Sequence, residues 1–249
     1  MSFSLEGADK IAGYVAGQWI DAPNDNLTQF KLTQDPAENM PLFTMETKPE
    51  FPIDASPAEV LLPIINYNNY TAAGMPRTYK SQVLHTFNNA TFTLVQGKQK
   101  KTSVPLVNAT INIATFSLAL GGILPDAHYT ELLAHTTDPE TNYIHVYWVQ
   151  YDKDNLDAIT GPWKTIAPIP YEPGTFWGYN AKSEYPNTSE DLYGSWTLVP
   201  VGENQTHIHY ESYADPGKKG RLPGIKGKVI GDSVIDYTKI IRIVEENLP

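Results

Sequence analysis

The chain has 249 residues, with 18 Lys+Arg against 28 Asp+Glu, a formal net charge of −10 and no cysteine. Zero cysteine excludes disulfides, thiolate zinc sites, iron–sulfur clusters and cysteine nucleophiles, and the acidic balance argues against a nucleic-acid partner, whose phosphates draw on surplus Lys and Arg. With 41% hydrophobic and 18% charged residues the chain can bury a core, while no apolar run reaches the roughly 18 residues that span a bilayer.

The opening MSFSLEGADK has neither the basic start nor the apolar stretch of a secretory signal, so a cytoplasmic location is expected. Six Asn-x-Ser/Thr sequons, at Asn26, Asn69, Asn89, Asn108, Asn187 and Asn204, would accept glycans in a secreted chain. A composition rich in Asn and Thr yields such triplets by itself, and Asn89 and Asn108 fall in expected strands. Secretion with the sequons in use is therefore the alternative.

Over residues 7–20, Ile11, Tyr14, Val15 and Trp19 sit at helical spacing, and Pro23 closes the segment. Residues 21–57 are polar and rich in Pro, a wrapping loop with one short strand at Leu42 to Met45. Ser56-Pro57-Ala58-Glu59 reads as a helix start, with a Ser cap, Pro at the first position and Glu three residues after the cap. Pro63 predicts that this helix is brief. Residues 81–95 and 103–116 alternate polar and apolar, as half-buried strands do. Residues 125–135 (PDAHYTELLAH) suit a helix ended by Asp138-Pro139. Residues 142–151, dense in aromatic and β-branched types, are a strand.

From 160 to 190 Pro and Gly punctuate loop and short strand. Residues 193–201 and 206–213 make a β-hairpin about the turn Gly202-Glu203-Asn204. A last helix is expected from near Leu222 to the end, about 25 residues and about 37 Å long. Its apolar residues Ile230, Val234, Tyr237, Ile241, Val244 and Leu248 form one stripe that must lie on a sheet. No internal repeat marks a solenoid.

The closing segment GSWTLVPVGENQTHIHYESYADPG, followed by RLPG and the terminal helix, resembles the end of START-like domains, the SRPBCC helix-grip superfamily. The residues that carry the resemblance are Gly194, Trp196, Leu198, Pro200, Gly202, Thr206, Tyr210, Asp215, Pro216, Gly217, Leu222 and Pro223. The segment Lys218-Lys219-Gly220-Arg221 lengthens the turn before Leu-Pro, and residues 1–80 exceed the usual entry. The resemblance implies an α+β helix-grip fold, a curved antiparallel sheet closed by a long C-terminal helix. It also implies a cavity for a lipid, sterol or polyketide-like molecule, and the superfamily spans carriers and enzymes. Residues 1–80 are then an N-terminal helix and Pro-rich extension, and residues 81–249 the ligand-binding part of one continuous domain.

The remaining polar residues carry weaker patterns. His207, His209 and Glu211 share one strand face and could hold a metal. A solvated face opposite Ile208, Tyr210 and Ser212 is the simpler reading, and no metal or cofactor is assigned. His85, His128, His135 and His145 are scattered. Asp152, Asp154 and Asp157 lack the glycine and closing Glu of a calcium loop. Neither Gly-x-Ser-x-Gly nor Gly-x-Gly-x-x-Gly after a strand occurs. Lys218, Lys219 and Arg221, with Lys226 and Lys228, make a basic turn that suits an anionic membrane. Among the dense aromatics, Trp148 and Trp196 read as core. Trp177, Tyr179 and Tyr210 read as a ligand wall shared with Val234, Tyr237 and Ile241. The expected function is binding of an apolar small molecule as carrier or sensor. An enzyme of cyclase or dehydratase type using a buried Tyr or His is the alternative, and a secreted β-rich interaction protein the second.

Overall fold

A computed structural model describes residues 17–22, 25–35, 38–97, 101–118, 127–150, 191–215, 217, 222 and 225–249. Nine strands are described: β1 (Ile20–Asp21), β2 (Thr28–Thr33), β3 (Leu42–Thr47), β4 (Thr78–Gln96), β5 (Thr102–Leu118), β6 (Ala127–Thr137), β7 (Ile144–Gln150), β8 (Asp191–Pro200) and β9 (Thr206–Asp215). They form one antiparallel sheet in the order β1-β2-β3-β9-β8-β7-β6-β5-β4. β1 and β4 are the edges, so the sheet is open.

Period-two side-chain alternation gives the sheet two distinct faces. Phe30, Met45, Tyr210, Trp196 and Val146 are successive cross-strand partners on the inner face, and all five are buried. Against them pack α1 (Pro57–Ile65), α2 (Ile225–Tyr237) and α3 (Ile240–Glu246). α1 begins as its sequence predicts. Ser56 Oγ accepts from the Glu59 N–H at 3.4 Å, and the Ser56 N–H donates to Glu59 Oε2 at 2.8 Å. Pro63 sits buried inside α1, which ends two residues later.

The outer face carries a second core. The β4–β5 ladder shifts register between Phe87 and Ala90 and again between Ala90 and Phe92. Asn89 (φ 55°) and Asn108 (φ 52°) take left-handed backbone there. The far half of the hairpin folds over the sheet, so that Phe92, Leu94 and Leu106 pack on Ile111, Ile113, Leu132, Ala134 and Val149. Gln96 at its end donates to the carbonyls of Gly194 (2.7 Å) and Trp148 (3.2 Å).

Three elements differ from the sequence reading. Of residues 125–135, expected as a helix, 127–135 belong to strand β6 (Ala127–Thr137), and 125–126 lie outside the described residues. Glu131 and Leu133 face inward while Leu132 and Ala134 face the hairpin, and all four are buried. A strand covered on both faces loses polar–apolar alternation, which is why the periodicity misled. Residues 21–57 hold β1 and β2 besides the expected strand at 42; in β2 only Thr28, Phe30 and Leu32 are buried, a faint signal amid Pro-rich chain. The terminal helix is two helices, parted at Thr238-Lys239. There the Lys239 N–H bonds the Asp236 carbonyl at 3.2 Å, an i to i−3 turn, and Thr238 Oγ1 donates to the Ile235 carbonyl at 3.1 Å. The stripe survives the break, with Ile230, Val234, Ile241 and Val244 all buried. Of the helix expected over 7–20, residues 17–20 are a turn leading into β1, and 7–16 lie outside the described residues.

Candidate functional site

The inner face beneath α2 and α3 is lined by rings. Tyr210 on β9 meets Trp196 at 4.4 Å between centroids, Tyr237 of α2 at 6.2 Å and Phe43 of β3 at 6.4 Å. Phe43 lies 5.0 Å from Tyr237 and 5.7 Å from Phe30. Such offset and edge-on pairs bury large apolar area and leave each phenol needing a polar neighbour. Of the residues expected to touch a ligand, Tyr210, Val234, Tyr237 and Ile241 are brought to this one core. Trp177 and Tyr179 lie outside the described residues, as do Lys218, Lys219, Arg221 and the aspartates at 152, 154 and 157. Trp148 and Trp196 are both core residues.

One residue in this core has no counterpart in the sequence reading. Glu131, on the inner face of β6, is 3% exposed. It accepts a hydrogen bond from the Tyr67 hydroxyl at 2.6 Å. Tyr67 belongs to a short 3-10 turn, Tyr67–Asn69, that follows α1 and stacks on Tyr70 at 4.3 Å. Tyr70 in turn donates to the Ile64 carbonyl. Burial pushes the Glu131 carboxyl up to about 8, against the opposing pull of the Tyr67 bond. Burial likewise raises the phenols of Tyr67, Tyr210 and Tyr237, and the Glu131 charge adds to each. The Ser212 hydroxyl is buried beside Tyr210 and Tyr237 and opposes the rise of both phenols. The interior thus combines aromatic walls with a compact polar centre. Glu131 was hidden because Thr-Glu-Leu-Leu-Ala was read as helix. Read as a strand covered on both faces, the same letters place one carboxyl inside.

The outer face behaves as the alternation of β9 predicts, with Ile208, Tyr210 and Ser212 inward and His207, His209 and Glu211 only half-buried. His209 stands between two carboxylates, Nδ1 3.3 Å from Glu46 Oε2 and Nε2 3.5 Å from Glu211 Oε1. Its pKa is raised, first by the Glu211 hydrogen bond, while burial opposes. His207 turns instead to Thr47 Oγ1 at 3.0 Å. Among the described residues no three His, Asp or Glu converge in a geometry that would hold a metal ion. Burial lowers His135 and His145, and His145 Nδ1 lies 3.3 Å from Thr197 Oγ1. A separate cleft of about 100 Å³ lies between the end of α1 and the C-terminus, lined by Leu62, Asn66, Asn69, Asn247 and Pro249 among others. It is smaller than the roughly 300–1,000 Å³ of ordinary ligand sites. No helix among the described residues is long and apolar enough to cross a membrane.

The sequence matches no protein-family model and no curated protein. The structure is similar to the STAR-related lipid transfer protein from Xanthomonas axonopodis, with a TM-score of 0.59 at 12% identity, covering 92% of this chain and 99% of that one. It is also similar to human StAR-related lipid transfer protein 5, with a TM-score of 0.53 at 9% identity, covering 92% of this chain and 86% of that one. At such identities the likeness is one of fold. The fold is START-like, as the C-terminal hairpin and helix suggested, and the likeness extends beyond them to over nine-tenths of the chain.

Proposed function

We propose that this protein binds an apolar small molecule, of lipid, sterol or polyketide type, between the inner sheet face and the C-terminal helices, as a carrier or sensor. The observation that carries this reading is the aromatic inner wall facing one amphipathic helical stripe, with a polar centre at Glu131 and Tyr67. Apolar surfaces with a few placed polar groups are what small-molecule sites are made of. Tyr210, Val234, Tyr237 and Ile241 contact the ligand, joined by Trp177 and Tyr179. Val234 is 1% and Ile241 0% exposed, so no open space adjoins them. A ligand enters when α2 and α3 lift from the sheet, the helices then gripping it. Lys218, Lys219 and Arg221, which precede α2 in the sequence, hold the protein transiently at an anionic membrane during exchange.

Native mass spectrometry before and after denaturing extraction tests the reading. A stoichiometric apolar passenger, or uptake of one after incubation with mixed lipid vesicles, is expected. A chain that is empty as purified and stays empty after vesicle exposure overturns it. Glu131 favours a second reading, catalysis on the same scaffold, because a buried carboxyl protonated near neutral pH can give or take a proton. That reading requires turnover which Glu131→Gln abolishes while ligand uptake persists.

A further inference from the structure

With 16 asparagines and 34 serines and threonines in 249 residues, random order would give about two sequons, and six occur. Hydrogen bonding rather than exposure distinguishes the described sequon asparagines, since Asn66, Asn68, Asn88 and Asn142 outside sequons are exposed as well. Asn26, Asn69, Asn89, Asn108 and Asn204 are all exposed. None of their side chains makes a hydrogen bond among the described residues. Among the described residues, asparagines outside sequons are mostly put to structural use. Asn39 donates to Asp215, Asn68 accepts from the Val83 N–H, Asn88 and Asn112 accept from threonine hydroxyls, and Asn247 donates to the carbonyls of Ala73 and Ile243.

Asn89 and Asn108 sharpen the point, because strand interiors are poor places for a glycan. Both sit at the hairpin's left-handed bulges, where the backbone turns the side chain out to solvent. Left-handed geometry alone favours asparagine there. It does not account for Thr91 two residues on, whereas the Thr110 hydroxyl has a use of its own in donating to Asn88 at 3.4 Å. Asn142 has the same geometry, at φ 59°, and no sequon.

We propose that the chain is N-glycosylated, with Asn26, Asn69, Asn89, Asn108 and Asn204 as acceptors. Each amide Nδ2 attacks the anomeric carbon of an oligosaccharide carried on a lipid diphosphate. A C–N bond replaces the sugar–phosphate bond, the amide gives up one proton, and the lipid diphosphate leaves. Thr28 and Thr206 are buried and donate to Asp25 and to the Ala55 carbonyl, so Asn26 and Asn204 are modified before their segments fold. No sequon occurs from residue 207 to the end, so none of the acceptors lies on α2 or α3. This assignment does not depend on the ligand reading.

The test uses protein isolated from cells of its own source. Its intact mass is measured before and after treatment with a peptide N-glycosidase in ¹⁸O-water, followed by peptide mapping. An excess mass that the enzyme removes, leaving ¹⁸O-aspartate at any of the five positions, is expected. A mass equal to that of the bare chain, or label confined to Asn187, overturns the assignment. As a control, Asn→Gln at Asn26, Asn69 and Asn204, which lack the left-handed backbone of Asn89 and Asn108, in bacterially made protein leaves the melting temperature unchanged, since no structural bond is lost. A drop at those sites would make them structural residues and overturn the reasoning that singles them out.

Discussion

Glu131→Gln is the most informative single substitution. Gln keeps the shape and can still accept the Tyr67 hydrogen bond, but it does not titrate. The folded carboxyl titrates at about 8 against an ordinary value of 4.5. Between those values the folded protein holds a proton that the unfolded chain has already released, so stability falls as pH rises. Below about 4.5 and above about 8 this contribution is flat. Within the window the loss accumulates at about 1.4 kcal/mol per pH unit, on the order of 4–5 kcal/mol in all. The variant escapes that loss. At pH 5 the two proteins should agree within about 1 kcal/mol, and at pH 9 the Gln variant should be the more stable by several kcal/mol. Urea unfolding followed by tryptophan fluorescence at fixed ionic strength measures this, with equal m-values as the check on two-state behaviour. Parallel stability profiles for the two proteins would refute the reasoning. So would a variant 3–5 kcal/mol less stable at every pH, which is the mark of a broken buried ion pair.

Other outcomes follow from single contacts. A Cβ on Gly194 would sit 2.3 Å from Trp148 Cζ2 and 2.2 Å from the Glu211 carbonyl oxygen, so Gly194→Ala should cost about 1–3 kcal/mol or more in urea unfolding. His209→Gln removes a group whose pKa is raised by Glu211 and Glu46. That contribution is present below the ordinary histidine value and lost as pH rises through the raised one. The variant should therefore be weaker than the parent at pH 5.5 and equal to it at pH 9. The His209 side chain is 36% exposed, so the difference should stay under about 1 kcal/mol. Ser56→Ala deletes the cap of α1 and should cost about 1 kcal/mol, read as a fall in melting temperature.

What the sequence disclosed depended on how each element is covered. Hairpin β8–β9 has one apolar and one polar face, so alternation and the turn at Gly202 made it legible residue by residue. The stripe of α2 and α3 was legible for the same reason, although its break was not. Thr238-Lys239 carries no Gly or Pro, and the i to i−3 turn there leaves the apolar register intact. β6 was misread because helices cover one face and the folded-back hairpin the other. No sequence rule announced that cover, since it rests on two left-handed asparagines deep in long strands. The carboxyl of Glu131 was lost with β6. The inward placement of Tyr210, Val234, Tyr237 and Ile241 was readable because each lies on an element whose inward face the pattern fixes.

The electrostatics of the interior bear on whether it binds or transforms. Acid–base catalysts separate the pKa values of neighbouring groups, one environment holding a charge and the other a proton. Here burial drives every group the same way. Glu131 rises to about 8, and the phenols of Tyr67, Tyr210 and Tyr237 rise as well. Near neutral pH the centre is therefore predominantly uncharged, a set of hydroxyls and one carboxylic acid on an apolar wall. Such a centre can bond a ligand's hydroxyl or carbonyl without a counter-charge, and it avoids the cost of burying an ion beside a lipid. The same neutrality makes Glu131 mainly a proton donor at that pH. A neutral, hydrogen-bonding centre is what the proposed binding role needs. Ionising Glu131 above about pH 8 should then loosen a ligand whose polar end accepts its proton, and uptake from lipid vesicles at pH 6 and pH 9 measures that coupling directly. Equal uptake at both values would detach the polar centre from recognition and leave it the lesser task of holding the Tyr67 turn to the sheet.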